Sequence, residues 1–272
     1  MEEVSSFLRK QAEGDLLPWK QQVFASTHFG LTIGQVEKIA LEAGLLPSRY
    51  QRNRKTISVN DQLRLFQTHV AVIGCGGLGC YIVEELSRLG VGHITAVDPD
   101  VFEEHNLNRQ LYSTPALLGH PKVEAASKRV AEINPAVTLQ PLKCAFSKLN
   151  GADILQNVTI AVDALDSIPV RLELAEICTE INIPMVHGAI GGWYGQISTQ
   201  YPGEDTVQKI YNRSANGTGV EKGLGNPSFT PAVIASLQVA EVCKIIIGQG
   251  TTLAKRKLHI NLLDMEFVEI HY

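Results

Sequence analysis

The sequence predicts an α/β fold: a doubly wound, mostly parallel sheet with a C-terminal antiparallel portion and a short helical extension at the N-terminus. Three observations carry that prediction. Short apolar segments alternate with stretches of helical periodicity through the middle of the chain. One of those segments runs straight into a glycine-rich turn and then a helix. Towards the C-terminus the pattern changes to period-two segments separated by short turns.

Residues 1–48 read as a separate helical extension, and residues 49–272 as the main domain. Within the extension, Thr32 caps an amphipathic helix whose Ile33, Val36, Ile39 and Ala40 share a face and which Gly44 ends. Trp19 offers a docking side chain. The extension is either a helix packed on the main domain or its dimer mate, or a regulatory module. Arg49 to Arg54 form a basic lead-in to a helix ending near Phe66. Strands are expected at 69–74, 93–98, 137–141, 157–163 and 184–189, interleaved with helices at 78–89, 121–133 and 168–182. Residues 193–201 read as an antiparallel strand, and 257–263 with 265–271 as a closing hairpin. Residues 202–229, rich in Gly, Asn and Ser, read as a long functional or mobile loop.

In the first strand, Val70, Val72 and Ile73 are β-branched, as burial on both faces favours. Gly74, Gly76 and Gly79 then fit G-x-G-x-x-G, and a helix follows at once. The glycines allow a tight turn, close approach of backbone to phosphate, and close packing of helix on strand. The positive end of the helix would face the anion. A turn that only packs is the plainer alternative. Asp98, about 20 residues further on, can hydrogen-bond a ribose hydroxyl. Taken alone, these features suit a nicotinamide-dependent oxidoreductase. Arg109 and Lys122 fit that reading poorly. A triphosphate undergoing displacement needs fixed cations on the transferring phosphate and the departing pyrophosphate, whereas a dinucleotide needs little beyond backbone amides. Either residue could also be a solvated surface charge. Asp163 and Asp166 end an apolar strand at its carboxyl end, where ligands bind in such sheets. A carboxylate there suits Mg²⁺. Asp166 could instead cap the next helix. Arg171, one turn into that helix, pairs with the loop or solvates.

The ordered set Gly74-x-Gly76-Gly77-Leu78-Gly79, Asp98 with Asp100, Asn106-Leu107-Asn108-Arg109-Gln110, Gly119-x-Pro121-Lys122 and Asp163-x-x-Asp166 resembles the MoeB/ThiF/HesA adenylyltransferases, relatives of the ubiquitin-activating enzymes. The similarity runs through Gly195-Gln196 and the helix from Pro231 to Gly248, over roughly residues 49–272. It implies a Rossmann-like domain that uses ATP and Mg²⁺ to adenylate the C-terminal glycine of a small ubiquitin-fold sulfur-carrier protein ending in Gly-Gly. Gly74, Gly76, Gly77, Gly79, Asp98, Asp100, Asn106, Arg109, Gln110 and Lys122 would then contact the nucleotide. Asp166 would hold the metal and Asp163 would be structural, while Arg109 with Lys122 would stabilise developing charge. The resemblance also implies a homodimer in which an arginine of the lead-in reaches the partner's site. Arg52 is the best match and Arg54 the reserve.

Two features depart from the family. Many members carry two Cys-x-x-Cys pairs that bind zinc; here Cys75, Cys80, Cys144, Cys178 and Cys243 form none, so no zinc is expected. Residues 201–231, where sulfur-transferring relatives place a cysteine, contain none. The reaction is therefore expected to stop at the acyl-adenylate, with no thiol intermediate. A non-catalytic carrier-binding scaffold is a third reading. Net charge is −4, so no basic footprint points to nucleic acid. No apolar run is read as a membrane span, and the cysteine usage suits a reducing cytoplasm.

Overall fold

The computed structural model describes residues 2–211 and 221–272, with backbone alone at 221 and 222. The N-terminal segment forms α1 (Glu2–Gln11), β1 (Leu16–Leu17), α2 (Trp19–Phe29), α3 (Ile33–Glu42) and β2 (Leu46–Pro47). Leu8, Leu17, Ala25, Val36 and Ala40 bury together as a small core of their own, and β1 pairs in parallel with β2. Helix α3 begins with a Thr32–Gln35 capping box, and Gly44 turns the chain at a φ of +77°. Helices α1 and α2 escaped the sequence reading. Val23 and Phe24 of α2 point outward, so the helix shows no single apolar stripe. Trp19 does not enter the core either; it remains 45% exposed, under the Arg49 guanidinium at 4.9 Å from the ring centre.

After a 3₁₀ turn at Ser48–Tyr50 and α4 (Val59–Gln67), the main sheet begins. Its elements are β3 (His69–Ile73), α5 (Gly77–Leu89), β4 (His93–Val97), α6 (Lys122–Ile133), β5 (Thr138–Leu142), α7 (Gly151–Ile154), β6 (Ile160–Asp163), α8 (Ile168–Glu180) and β7 (Met185–Gly191). Then come β8 (Tyr194–Gln200), α9 (Thr206–Tyr211), α10 (Glu221–Leu224), α11 (Phe229–Ile247), β9 (Arg256–Asn261) and β10 (Glu266–His271). The spatial order is β10-β9-β8-β7-β6-β3-β4-β5. Strands β3 to β7 run parallel and β8 to β10 antiparallel. The long loop expected at 202–229 is thus interrupted by α9 and α10.

Alternation along β3 shows how the layers form. Val70 and Val72 join the cluster under α5, α6 and α11, whereas Ala71 and Ile73 join the cluster under α8. All four are fully buried. Helix α11 has the length and hydropathy of a membrane span, though Gln238, Glu241 and Lys244 interrupt its apolar run. Here it lies across α5 and β7. Its polar groups are used inside: Gln238 Nε2 donates to Asp163 O at 2.8 Å, and Glu241 accepts from Thr199 Oγ1 at 2.6 Å and from Leu253 N at 2.7 Å.

From β3 the chain passes to α5 on one face, and from β6, its neighbour, to α8 on the other. The carboxyl ends of β3 and β6 therefore part, and a crevice opens between their loops.

Candidate active site

A cavity of about 560 Å³ fills that crevice. The glycine loop on its floor divides into two pairs. Gly74 sits at a φ of +99°, and a Cβ there would lie 2.6 Å from the Ala164 carbonyl oxygen; at Gly79 a Cβ would lie 1.8 Å from the Gly74 carbonyl oxygen. These two shape the turn and let α5 close on β3. Gly76 and Gly77 line the cavity, with room for a Cβ, the nearest atoms being 3.6 and 3.5 Å away. Among the described residues no side chain caps α5. Its first-turn N–H groups are therefore available to an anion.

At the end of β4, Asp98 accepts from Cys75 N at 2.7 Å and from Asp100 N at 2.8 Å. Burial raises its carboxyl pKa, and Lys122 opposes the rise. Lys122 opens α6 at 6% exposure. Its ammonium lies 2.9 Å from Asp100 Oδ2 and 3.8 Å from Asp98 Oδ1. Between β4 and α6, buried Asn106 accepts from Glu103 N at 2.9 Å. Arg109 Nη1 donates to His105 O and Asn108 Oδ1, both at 2.9 Å. Gln110 is buried, and its Oε1 has no partner among the described residues. Asp98, Asp100, His105, Asn106, Arg109, Gln110 and Lys122 all line the one cavity.

At the end of β6, Asp166 is exposed, faces the cavity, and has no hydrogen-bond or ion-pair partner among the described residues. The capping alternative for Asp166 does not hold, because Ser167 occupies the N-cap position of α8. Asp163 is wholly buried and accepts from His187 Nδ1 at 2.6 Å and Leu165 N at 2.9 Å. Arg171 does not solvate. It donates to Gly188 O at 3.0 Å, to Tyr211 OH at 2.8 Å, and to Leu165 O.

Burial holds His187 below its ordinary pKa, against the pull of Asp163. Burial likewise lowers His69 and His259. Unfolding frees all three to take up protons below about pH 6.5, so there the unfolded chain binds more protons than the native one. This stability is complete above that pH and is lost as pH falls through it. The melting temperature is expected to stay level between about pH 8 and 7 and to decline below about 6.5. A calorimetric profile level down to about pH 5.5 would contradict the assignment.

Arg52 is exposed and lies outside the cavity of its own chain, while Arg54 is tied to Asp15 at 2.5 Å. The five thiols are free. Burial pushes Cys80 and Cys178 up to about 12, Cys243 up to about 11, and Cys75 well above its ordinary value. Among the described residues no group of three or more His, Cys, Asp or Glu side chains could hold a metal ion. Sequence reasoning missed Phe146, Ile190, Cys144 and Asn226 as cavity residues. Asn226 Oδ1 is buried without a partner among the described residues. No motif marks these positions; the ends of β5 and β7 bring Cys144, Phe146 and Ile190 to the crevice, and the segment before α11 brings Asn226.

The ThiF family model matches residues 50–272. The SAMP-activating enzyme E1 of Haloferax volcanii is 32% identical over 238 residues, which cover 86% of this chain and 88% of that one. The molybdopterin-synthase adenylyltransferase of Haemophilus influenzae is 29% identical over 229 residues, covering 82% and 93%. The crystal structure of E. coli MccB with ATP superposes with a TM-score of 0.66 at 20% identity, covering 82% of this chain and 71% of that one. The fold is therefore shared with a solved ATP complex. The chain belongs to the ThiF family, and within it to the adenylyltransferases that resemble the ubiquitin-activating enzymes.

Proposed function

We propose that this chain adenylates the C-terminal glycine carboxylate of a small ubiquitin-fold sulfur-carrier protein ending in Gly-Gly, in a molybdopterin, tungstopterin or thiamine-type sulfur-transfer route. One observation carries the reading: a single cavity gathers an uncapped helix N-terminus with Lys122, Arg109, Asp98 and Asp166. Binding a dinucleotide leaves that cation set without a purpose, whereas displacement at a triphosphate uses it. The carboxylate oxygen attacks the α-phosphorus of ATP, the bond to the bridging oxygen breaks, and pyrophosphate leaves with that electron pair. The backbone from Gly74 to Gly79 holds the phosphates, with Asn106 and Gln110 beside them, and Asp98 takes the ribose. Asp100 keeps Lys122 in place. Lys122 and Arg109 neutralise the growing charge.

Asp166, without a partner among the described residues and facing the cavity, fits a magnesium ligand; Mg²⁺, when bound, neutralises phosphate charge. Zinc has no part in this reading, since no Cys-x-x-Cys pair exists to hold it. Residues 1–48 are a helical appendage to the catalytic domain at 49–272, and five free thiols suit a reducing cytoplasm. The segment before α11 clamps the carrier's tail. Of its glycines, Gly217 and Gly219 lie outside the described residues, while Gly223 is exposed and the Gly225 carbonyl accepts from Gly192 N at 2.8 Å. Carrier-dependent exchange of labelled pyrophosphate into ATP tests the reading; its absence with candidate carriers that end in Gly-Gly counts against it.

The protein acts as a homodimer, with Arg52 reaching the partner's cavity. Exposure of Arg52 and the tie between Arg54 and Asp15 favour this choice. Inactive Arg52→Ala mixed with inactive Asp166→Ala is expected to recover part of the exchange activity through hybrid dimers. Failure to recover, with subunit exchange confirmed by native mass spectrometry, would place each site within one chain.

A further inference from the structure

From the cavity wall, where Leu165 and Arg171 line it, a polar network that the adenylation chemistry leaves unassigned runs inward. It begins at Tyr211, the last residue of α9, and ends at the loop carrying Asp166. The Tyr211 hydroxyl lies 2.8 Å from Arg171 Nη1, 3.3 Å from Gln196 Nε2 and 3.3 Å from His187 Nε2. Arg171 and Gln196 can act only as donors through these atoms, so the hydroxyl accepts from both and donates to His187 Nε2. His187 then carries its proton on Nδ1 and donates it to Asp163 Oδ2 at 2.6 Å. The other Asp163 oxygen accepts from Leu165 N at 2.9 Å, and Arg171 Nη2 donates to Leu165 O. Leu165 is thereby held through both its amide and its carbonyl, one residue before Asp166.

We propose that Tyr211 is a positioning residue that couples the seating of α9 to the placement of Asp166, and through it to metal-assisted ATP binding. This inference rests on the assignment of Asp166 to the metal. Asp163, His187 and Arg171 come from β6, β7 and α8, elements of the parallel sheet and its covering helix. Tyr211 comes from outside them. Its helix is anchored at the other end, where Val207 is fully buried and its amide donates to Gln200 Oε1 at 2.8 Å. A shift of α9 would therefore withdraw one hydroxyl from two side chains that hold the loop. The His187 and Tyr211 rings meet edge to face with centres 5.5 Å apart, so Tyr211→Phe removes the hydroxyl and keeps the ring contact.

The test measures ATP affinity of the full chain by calorimetry, once with EDTA and once with saturating Mg²⁺. The ratio of the two affinities is the metal-dependent gain. In Tyr211→Phe that gain is expected to fall roughly tenfold, as for one lost charge-assisted hydrogen bond, with affinity in EDTA unchanged. In an Asp166→Asn background, Tyr211→Phe should change neither value, because the coupled partner is gone. Gln196→Leu, which withdraws a donor from the same hydroxyl outside the cavity, should lower the gain less, and it serves if Tyr211→Phe does not fold. An undiminished gain in Tyr211→Phe and Gln196→Leu overturns the proposal. So does an equal loss in EDTA or in the Asp166→Asn background, which would make the network a structural support alone. A wild-type chain that binds ATP with no metal-dependent gain removes the metal role of Asp166, and one that binds no ATP removes the adenylation reading. The inference falls with either.

Discussion

Lys122→Ala lowers carrier-dependent pyrophosphate exchange roughly 10²–10³-fold, the range for losing one preorganised charge stabiliser. Lys122 is 6% exposed, and its ammonium is held between two carboxylates, with Asp100 Oδ2 at 2.9 Å and Asp98 Oδ1 at 3.8 Å. Such a cation needs no reorganisation when charge moves onto the departing pyrophosphate. Its loss also strips Asp98 of the charge that opposes burial, so the carboxyl is pushed further up and the ribose contact weakens. The drop should therefore appear mainly in kcat, with a smaller rise in KM for ATP. Exchange near the wild-type rate would remove Lys122 from the mechanism.

The glycine loop yields the second large effect, because its glycines serve different ends. Gly79→Ala places a methyl 1.8 Å from the Gly74 carbonyl oxygen, a backbone atom that cannot swing aside. Strand β3 and helix α5 must then separate, at a cost of about 3 kcal/mol or more. For a chain of this size the melting temperature should fall by about 10 °C, if the protein folds at all. Gly77→Ala meets nothing closer than 3.5 Å and adds a good helix former to the first turn of α5. Its fold should hold while ATP affinity drops about tenfold, because the methyl lies 3.7 Å from Arg109 on the lip where phosphates approach. Thermal melts and ATP titrations on both variants check the contrast. A Gly79→Ala protein as stable as the wild type would show that the loop does not pack as described.

What the sequence made legible was local. Strand β3 is buried on both faces, so its β-branched run is unbroken, and the glycine turn follows within three residues. Asp98 and Lys122 could be placed because each lies at the end of a strongly periodic element. Asp163 could be placed at the end of its apolar strand, and its structural role came only with the family resemblance. Its partners could not: His187 is 24 residues away and Gln238 is 75, and nothing in the periodicity of β7 or α11 marks them. Arg171 and Tyr211 are 40 residues apart, and α9 sits in a stretch whose Gly, Asn and Ser content argues for loop. Helices α1 and α2 were missed because a small separate core needs few apolar residues, and Val23 and Phe24 face outward. Pairwise strand order, which no single segment encodes, decided the rest of the site.

The reaction expected to stop at the acyl-adenylate makes the carrier's own mass the most direct test. Enzyme, carrier and ATP–Mg²⁺ would be incubated and both proteins weighed by mass spectrometry under non-reducing conditions. The account predicts a carrier heavier by one adenylate and an enzyme of unchanged mass. A carrier-sized adduct on the enzyme that dithiothreitol removes, mapping to Cys144, Cys178 or Cys243, would contradict it, as would a carrier that never gains the adenylate.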